Sequence, residues 1–194
     1  MPVSEKKLRS NPAWIKRHLT DPFVKKSVQE GYRARSVYKL MEIDDKDKII
    51  KPGMSVVDLG AAPGSWTQIV KERLTDKDGK IDGKVIAMDI LPMEPIEGVH
   101  FLQGDFREKV DVVLSDMAPN LSGVAAADAA RCLLLNELAL DFAKENLKKN
   151  GSFVCKVFQG SGYSQYVEAC KKTFRKVSVR KPEASRSSSA EVYI

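Results

Sequence analysis

From Met54 onward the sequence alternates between short runs of β-branched and apolar residues and longer stretches with helical periodicity. That alternation leaves few folds open. Met54–Leu59, Lys84–Asp89, Val99–Gln103, Asp111–Ser115, Ser152–Phe158, Lys176–Arg180 and Glu191–Ile194 read as strands. Ser65–Leu74, Ala125–Leu147 and Tyr163–Phe174 read as helices, the second with Leu133, Leu134, Leu138, Ala139 and Phe142 along one stripe. This order predicts an α/β fold, a mostly parallel, Rossmann-like sheet of seven strands with helices on both faces. The last two strands have no helix between them and are expected to pair antiparallel at one edge. A short helix, Ser36–Ile43, precedes the sheet, with Ser36 as its N-cap and Val37, Leu40 and Met41 on its apolar face.

The 194 residues, 43% of them hydrophobic, suffice for one well-filled domain. The expected division is a basic N-terminal arm, residues 1–35, and a single domain, residues 36–194. No apolar run is long enough to span a membrane, and the first residues lack the apolar stretch of a signal peptide. Cys132, Cys155 and Cys170 show no CxxC spacing and are odd in number, so buried free thiols in a cytoplasmic protein are expected. His18 and His100 are isolated, and no metal-ligand spacing is present. Charge is unevenly spread: residues 1–39 carry a net +7, residues 40–170 a net −6 and residues 171–194 a net +5. An acidic centre between basic ends suits a small-molecule site flanked by segments that meet a polyanion.

The first strand runs into Gly60-Ala-Ala-Pro-Gly-Ser-Trp66 and then a helix. Gly60 and Gly64 permit positive φ and close backbone approach, and Ala61 and Ala62 leave room above the turn. The turn is not GxGxxG and lacks the Lys-Ser/Thr of a phosphate-gripping loop. It therefore fits a nucleoside with an uncharged or zwitterionic tail. Asp58 is placed near an ammonium or its water shell. Asp89, at the end of the second strand, is placed to accept from both ribose hydroxyls. Asp105, after the third, is placed to accept from an adenine amino group.

One stretch does not fit. Only Phe-Arg-Glu-Lys-Val separates Asp105 from Asp111, too little for a crossover between parallel neighbours. Either these strands are not neighbours or the chain omits a segment, and omission is favoured.

Lys39, Asp116, Lys156 and Glu191 are charges set where a core prefers apolar groups. Lys156 is the clearest, inside Ser152-Phe-Val-Cys-Lys-Val-Phe158. A buried ammonium costs several kcal/mol unless paired, and a lysine able to release its proton is a candidate general base.

At these residues the chain resembles the FtsJ-type family of ribosomal RNA 2′-O-methyltransferases, which use S-adenosylmethionine. The matching stretches are Tyr32-Arg-Ala-Arg-Ser-Val-Tyr-Lys-Leu40, Asp58-Leu-Gly-Ala-Ala-Pro-Gly-Ser-Trp66, Asp89-Ile-Leu-Pro-Met93 and Phe101-Leu-Gln-Gly-Asp-Phe106. Ser115-Asp-Met-Ala-Pro-Asn120, Val154-Cys-Lys-Val-Phe-Gln-Gly160, Arg180-Lys-Pro-Glu-Ala-Ser-Arg186 and Glu191-Val-Tyr193 continue it over nearly the whole chain. The resemblance implies a class I methyltransferase fold with a Lys-Asp-Lys-Glu tetrad on Lys39, Asp116, Lys156 and Glu191. It implies cofactor contacts at Gly64, Trp66, Asp89, Asp105 and Asp116, beside Asp58 and Gly60 from the turn. The segment after Asp105 is shorter than the family's, in keeping with an omission, and the sequence stops inside what the family would make its final strand.

A ribose hydroxyl is a weak acid, so its proton must leave as the new bond forms. Lys156 is the expected acceptor, oriented by Asp116. Lys39 would position the hydroxyl or a phosphate, and Glu191 would balance the lysine pair. Lys16, Arg17, Lys25, Lys26, Arg33 and Arg35 are expected to grip RNA phosphates from the N-terminal side, and Arg180, Lys181 and Arg186 from the C-terminal edge. Trp14, Tyr32 and Tyr38 could stack on unpaired bases. The resemblance points to a uridine of large-subunit (23S) ribosomal RNA, presented on the assembled subunit to a monomeric enzyme. The alternatives are the same transfer to tRNA or another RNA, a non-catalytic RNA-binding assembly factor, and a nicotinamide-dependent oxidoreductase, the last disfavoured by the Pro63-Gly64-Ser-Trp66 turn.

Overall fold

The structure, a computed structural model, describes residues 20–104, 106–119 and 122–194. Trp14, Lys16, Arg17 and Asp105 lie outside the described residues. The elements are α1 (Pro22–Gln29), α2 (Val37–Asp47), β1 (Ser55–Leu59), α3 (Ser65–Leu74), β2 (Lys84–Met88), β3 (Val99–Leu102), β4 (Val110–Ser115), α4 (Ala125–Asn146), β5 (Leu147–Phe158), α5 (Tyr163–Thr173) and β6 (Glu191–Tyr193). Asp21 caps α1, its Oδ1 accepting from Phe23 N at 3.0 Å. Ser36 makes no capping bond. Its hydroxyl meets Ser65 Oγ at 2.8 Å and its carbonyl accepts the Trp66 indole N–H at 2.8 Å, docking α2 on α3.

The strands form one sheet in the order β3-β2-β1-β4-β5-β6, parallel except for β6, which runs antiparallel to β5. Alternation along each strand assigns the two faces. Val56, Val112, Leu114 and Val154 pack with α2 and α3. Val57, Val113, Cys155 and Val157 pack with α4 and α5. The three cysteines are free, Cys155 and Cys170 buried and Cys132 half-buried.

Among the described residues the sheet has six strands rather than the expected seven. Lys176–Arg180 contributes one isolated bridge, in which Arg180 and Tyr193 exchange N–H···O bonds of 2.7 and 2.8 Å. In an antiparallel strand successive residues offer their backbone groups to opposite neighbours. Ile194 gives both of its groups to Cys155, and Tyr193 alone faces Arg180, so the contact stops at one rung.

The short connection after β3 is explained by topology. β3 and β4 are not neighbours: β2 and β1 lie between them. Register places Leu102, Met88, Leu59 and Ser115 at one level, so the chain must travel to the far end of the sheet as well as across it. Three strand spacings and five residues of strand make a diagonal of ~22 Å. The eight residue steps from Leu102 to Val110 reach ~26–29 Å when extended. The number of residues therefore suffices to join the two strands. Phe106, buried on the sheet and stacked on Phe142 with ring centroids 5.8 Å apart, anchors it.

The apolar stripe expected on α4 is also rotated. Asn136, Ala139, Leu140, Ala143 and Asn146 are buried, whereas Leu134 and Leu138 are 55% and 54% exposed. Asn136 and Asn146 can face inward because their polar atoms are used locally. Asn146 Nδ2 donates to Phe142 O at 3.0 Å, and the Asn136 side-chain amide nitrogen donates to the Cys132 and Lys156 carbonyls at 3.3 and 3.0 Å.

Candidate active site

The four charges meet on the α2/α3 face of the sheet, at the carboxyl ends of its parallel strands. Lys156 shares a face of β5 with Val154, and Asp116 continues the Val112, Leu114 alternation past the end of β4. Lys156 Nζ donates to the Asp116 backbone oxygen at 2.5 Å and lies 3.1 Å from Asp116 Oδ1. Its side chain is only 7% exposed. Lys39, carried by α2, forms the second pair, its Nζ 2.7 Å from Glu191 Oε1. Ser185 Oγ donates to the same oxygen at 2.8 Å. Burial pushes the Glu191 carboxyl up, but the Lys39 charge and hydrogen bond, with help from Ser185, hold it below its ordinary 4.5.

Tyr193 joins the pairs. It lies two residues from Glu191 and so on the same face of β6, and it is the register partner of Lys156. Its hydroxyl donates to Asp116 Oδ1 at 2.8 Å, and its ring lies 5.7 Å from Lys39 Nζ and 5.7 Å from the Trp66 ring. Burial first, then the charges of Asp116 and Glu191, raise its phenol well above 10.0, so it remains a donor. The sequence reading missed Tyr193, though the two-residue period of a strand ending in Glu191 pointed to it. Ser185 carried no such signal.

The Gly-rich turn borders this site. Gly60 has φ +70, and a Cβ on it would lie 2.4 Å from Met117 Cγ, so the residue after Asp116 closes directly over the turn. Asp89 joins the turn to the loop that follows β2: Oδ2 accepts from Ala62 N and Oδ1 from Leu91 N, each at 2.8 Å. Each oxygen retains a lone pair for a ligand hydroxyl. Asp58 is buried beneath the turn, with Thr67 Oγ1 donating to its Oδ2 at 2.7 Å. Its pKa is raised from 3.8 to about 7, chiefly by burial and further by the charges of Asp116 and Asp89. Trp66 is also buried and supports the crevice from below. The acceptor-rich set, without a lysine or P-loop at the turn, fits a nucleoside bearing a cationic tail better than one bearing a pyrophosphate.

The profile of the FtsJ-like methyltransferase family matches residues 32–194. This chain is an FtsJ-like methyltransferase. It is 54% identical to ribosomal RNA large subunit methyltransferase E of Polynucleobacter asymbioticus and 53% identical to that of Cupriavidus metallidurans, each match covering 97% of this chain and 95% of the relative. The first match runs over 213 positions against the 194 residues of this chain, so at least 19 positions of the match have no residue here. A crystal structure described as a ribosomal RNA methyltransferase of Plasmodium falciparum superposes with a TM-score of 0.71 at 29% identity, covering 84% of this chain and 95% of that one.

In this FtsJ-like methyltransferase most of the basic residues read as phosphate grips already have partners within the chain. Arg180 holds both oxygens of Asp47, at 2.9 and 2.7 Å. Arg35 pairs with Asp21 and donates to the Ala184 carbonyl. Arg186 reaches Asp21 at 3.3 Å. Lys181 donates to the Ser189 and Glu191 carbonyls, each at 2.6 Å. With Glu42, which accepts from Glu183 N at 2.5 Å and Ala184 N at 2.9 Å, these contacts stitch the N-terminal helices to the segment before β6. That stitching brings Lys39 to Glu191. Lys25 and Lys26 are exposed on α1, Lys26 lying 4.6 Å from the centre of the Tyr38 ring. Arg33 is bound to three carbonyls. Among the described residues no helix is long and apolar enough to cross a membrane, and no cluster of His, Cys, Asp and Glu could hold a metal ion.

Proposed function

We propose that this methyltransferase transfers a methyl group from S-adenosylmethionine to the ribose 2′-hydroxyl of a uridine in large-subunit (23S) ribosomal RNA, acting on the assembled subunit as a cytoplasmic monomer. The observation that carries the reading is the Lys156–Asp116 pair beside the Gly-rich turn. A neutral amine has two N–H bonds and one lone pair. The Asp116 carbonyl and Oδ1 lie where both N–H bonds can be satisfied, which leaves the lone pair for a substrate proton.

S-adenosylmethionine, when bound, supplies an electrophilic methyl group on a sulfonium. Gly60, Gly64, Trp66, Asp58 and Asp89 are the described residues that would hold it, with Asp116 at the edge nearest the lysine; Asp105, outside the described residues, belongs to the same proposed set. Lys156 would take the hydroxyl proton as the new oxygen–carbon bond replaces the methyl carbon–sulfur bond and the neutral thioether leaves, and Asp116 would stabilise the resulting ammonium. Lys39, held by Glu191, offers its remaining N–H bonds to the substrate oxygen or the adjacent phosphate. Lys25 and Lys26, the latter 3.9 Å from Glu30, lie on the exposed face of α1 as phosphate contacts.

The relatives named above, at 53–54% identity over nearly their full length, act on large-subunit ribosomal RNA by name, and this supports the substrate class. Methyl transfer from radiolabelled S-adenosylmethionine to large subunits, naked ribosomal RNA and tRNA tests the reading. Incorporation is expected on the assembled subunit at a single uridine ribose. Preferential labelling of tRNA, or labelling on a base, would overturn it.

A further inference from the structure

We infer that Arg33 is a positioning residue for the cofactor crevice rather than a contact to RNA. This rests on the cofactor reading above and goes beyond it. Arg33 Nη1 donates to the carbonyls of Pro63 at 2.9 Å and Glu94 at 2.7 Å, and Nη2 donates to that of Pro95 at 3.1 Å. Its backbone N–H donates to Gln68 Oε1 at 2.9 Å, and Gln68 Nε2 donates to the Gly31 carbonyl at 3.1 Å. One guanidinium therefore ties together the segment leading into α2, the Gly-rich turn and the loop after β2.

The loop needs such a tie. Pro92 and Pro95 remove two of its N–H donors, and residues 92–96 form no helix or strand. Ile90 and Leu91 at its front are 92% and 60% exposed. At its back the loop is folded hard onto the turn. A Cβ on Gly64 would lie 2.8 Å from Arg33 Nη1, 2.8 Å from Met93 Sδ and 3.2 Å from Ile96 Cδ1. The Asp89 carboxylate grips the near end of this loop through Leu91 N, and Arg33 grips the far end through Glu94 and Pro95. The two together fix the rim of the crevice. A planar fork can span carbonyls from two separate loops, whereas a lysine ammonium, a compact point donor, cannot hold the same three at once. The same segment continues into α2, which carries Lys39.

Arg33→Ala and Arg33→Lys, with thermal melts to establish folding, test this by separating two affinities. Calorimetry with S-adenosylmethionine is expected to show binding weakened about tenfold in both variants, the size of losing one to two net hydrogen bonds. KM for S-adenosylmethionine should rise in parallel, while kcat at saturation and affinity for ribosomal RNA stay within about twofold. A phosphate contact gives the reverse pattern: unchanged cofactor affinity, weakened RNA binding, and rescue by lysine. That pattern, or no change in either affinity, would overturn the inference. A wild-type chain that fails to bind S-adenosylmethionine would instead overturn the cofactor reading on which it stands. If Arg33→Ala does not fold, Arg33→Lys carries the same comparison.

Discussion

Tyr193 donates its hydroxyl hydrogen to Asp116 Oδ1 at 2.8 Å, the same carboxylate oxygen that lies 3.1 Å from Lys156 Nζ. The carboxylate is thus held from two sides, and the lysine that would take the substrate proton is oriented through it. Tyr193→Phe keeps the buried ring and removes only this bond. The expected result is a threefold to tenfold loss of kcat with little change in KM for either substrate, read in steady-state methyl transfer. An unchanged kcat would show that Lys156 alone fixes Asp116.

Lys156→Ala is expected to abolish methyl transfer while leaving binding of RNA and S-adenosylmethionine within a few-fold, since no other described amine contacts Asp116. Single-turnover assays and binding titrations on the same preparation check it. Retained transfer would remove Lys156 from the proton-acceptor role.

Lys39 and Glu191 form a pair whose side chains are only 13% and 11% exposed. Removing one partner leaves the other charge enclosed, and Lys39→Met is expected to cost roughly 3 kcal/mol of stability, the low end for breaking a buried pair. Adding Glu191→Gln should return much of that stability without returning activity. Denaturant unfolding of the single and double variants measures the coupling.

Asp58 gives the fold a pH dependence. Its carboxyl titrates near about 7 in the folded chain against 3.8 when free, burial being the main cause. Between those values the folded state holds a proton that the unfolded state has lost, so stability falls as pH rises from about 4 to about 7 and then levels. Asp58→Asn can still accept from Thr67 and is expected to flatten this slope and raise the melting temperature at pH 8. A series of melts across pH 4 to 8 checks both; a wild-type curve that rises through this window without an Asp58-dependent downward component would contradict it.

Phe106 secures the connection between β3 and β4 by packing on the sheet and on Phe142. Phe106→Ala is expected to cost about 3 kcal/mol, and hydrogen exchange should show the loss concentrated at the residue 103–109 connection and the start of β4.

The alternation after Met54 carried most of the fold, because strand and helix periods are local properties of the chain. Lys39, Asp116, Lys156 and Glu191 each stood out as a charge interrupting an apolar pattern, and the family resemblance is what grouped them. The pairing of Lys156 with Asp116 was expected, but that of Lys39 with Glu191 alone was not, because it joins elements far apart in sequence. The same distance hid the partners of the basic residues: Arg33 finds Glu94 and Pro95, Arg35 finds Ala184, and Arg180 finds Asp47. A seventh strand was expected from the composition of Lys176–Arg180, but strand pairing depends on what the neighbour offers, and here that is one residue. Leu134 and Leu138 read as core by type, yet the buried face of α4 is set by Ala139, Leu140, Ala143 and two asparagines whose amides reach backbone carbonyls.

The position of β6 has a consequence for synthesis. It is the last of the described elements to leave the ribosome, and it supplies both Glu191 and Tyr193 while docking against the strand that carries Lys156. A nascent chain can form the β1–α3 turn and the neighbouring parallel strands as they emerge, but Lys39 lacks its counter-charge and Asp116 its hydroxyl donor until the final strand arrives. The four charges and the tyrosine are therefore gathered only in a chain whose β6 has emerged and docked on β5, so a nascent chain lacking β6 holds an incomplete site.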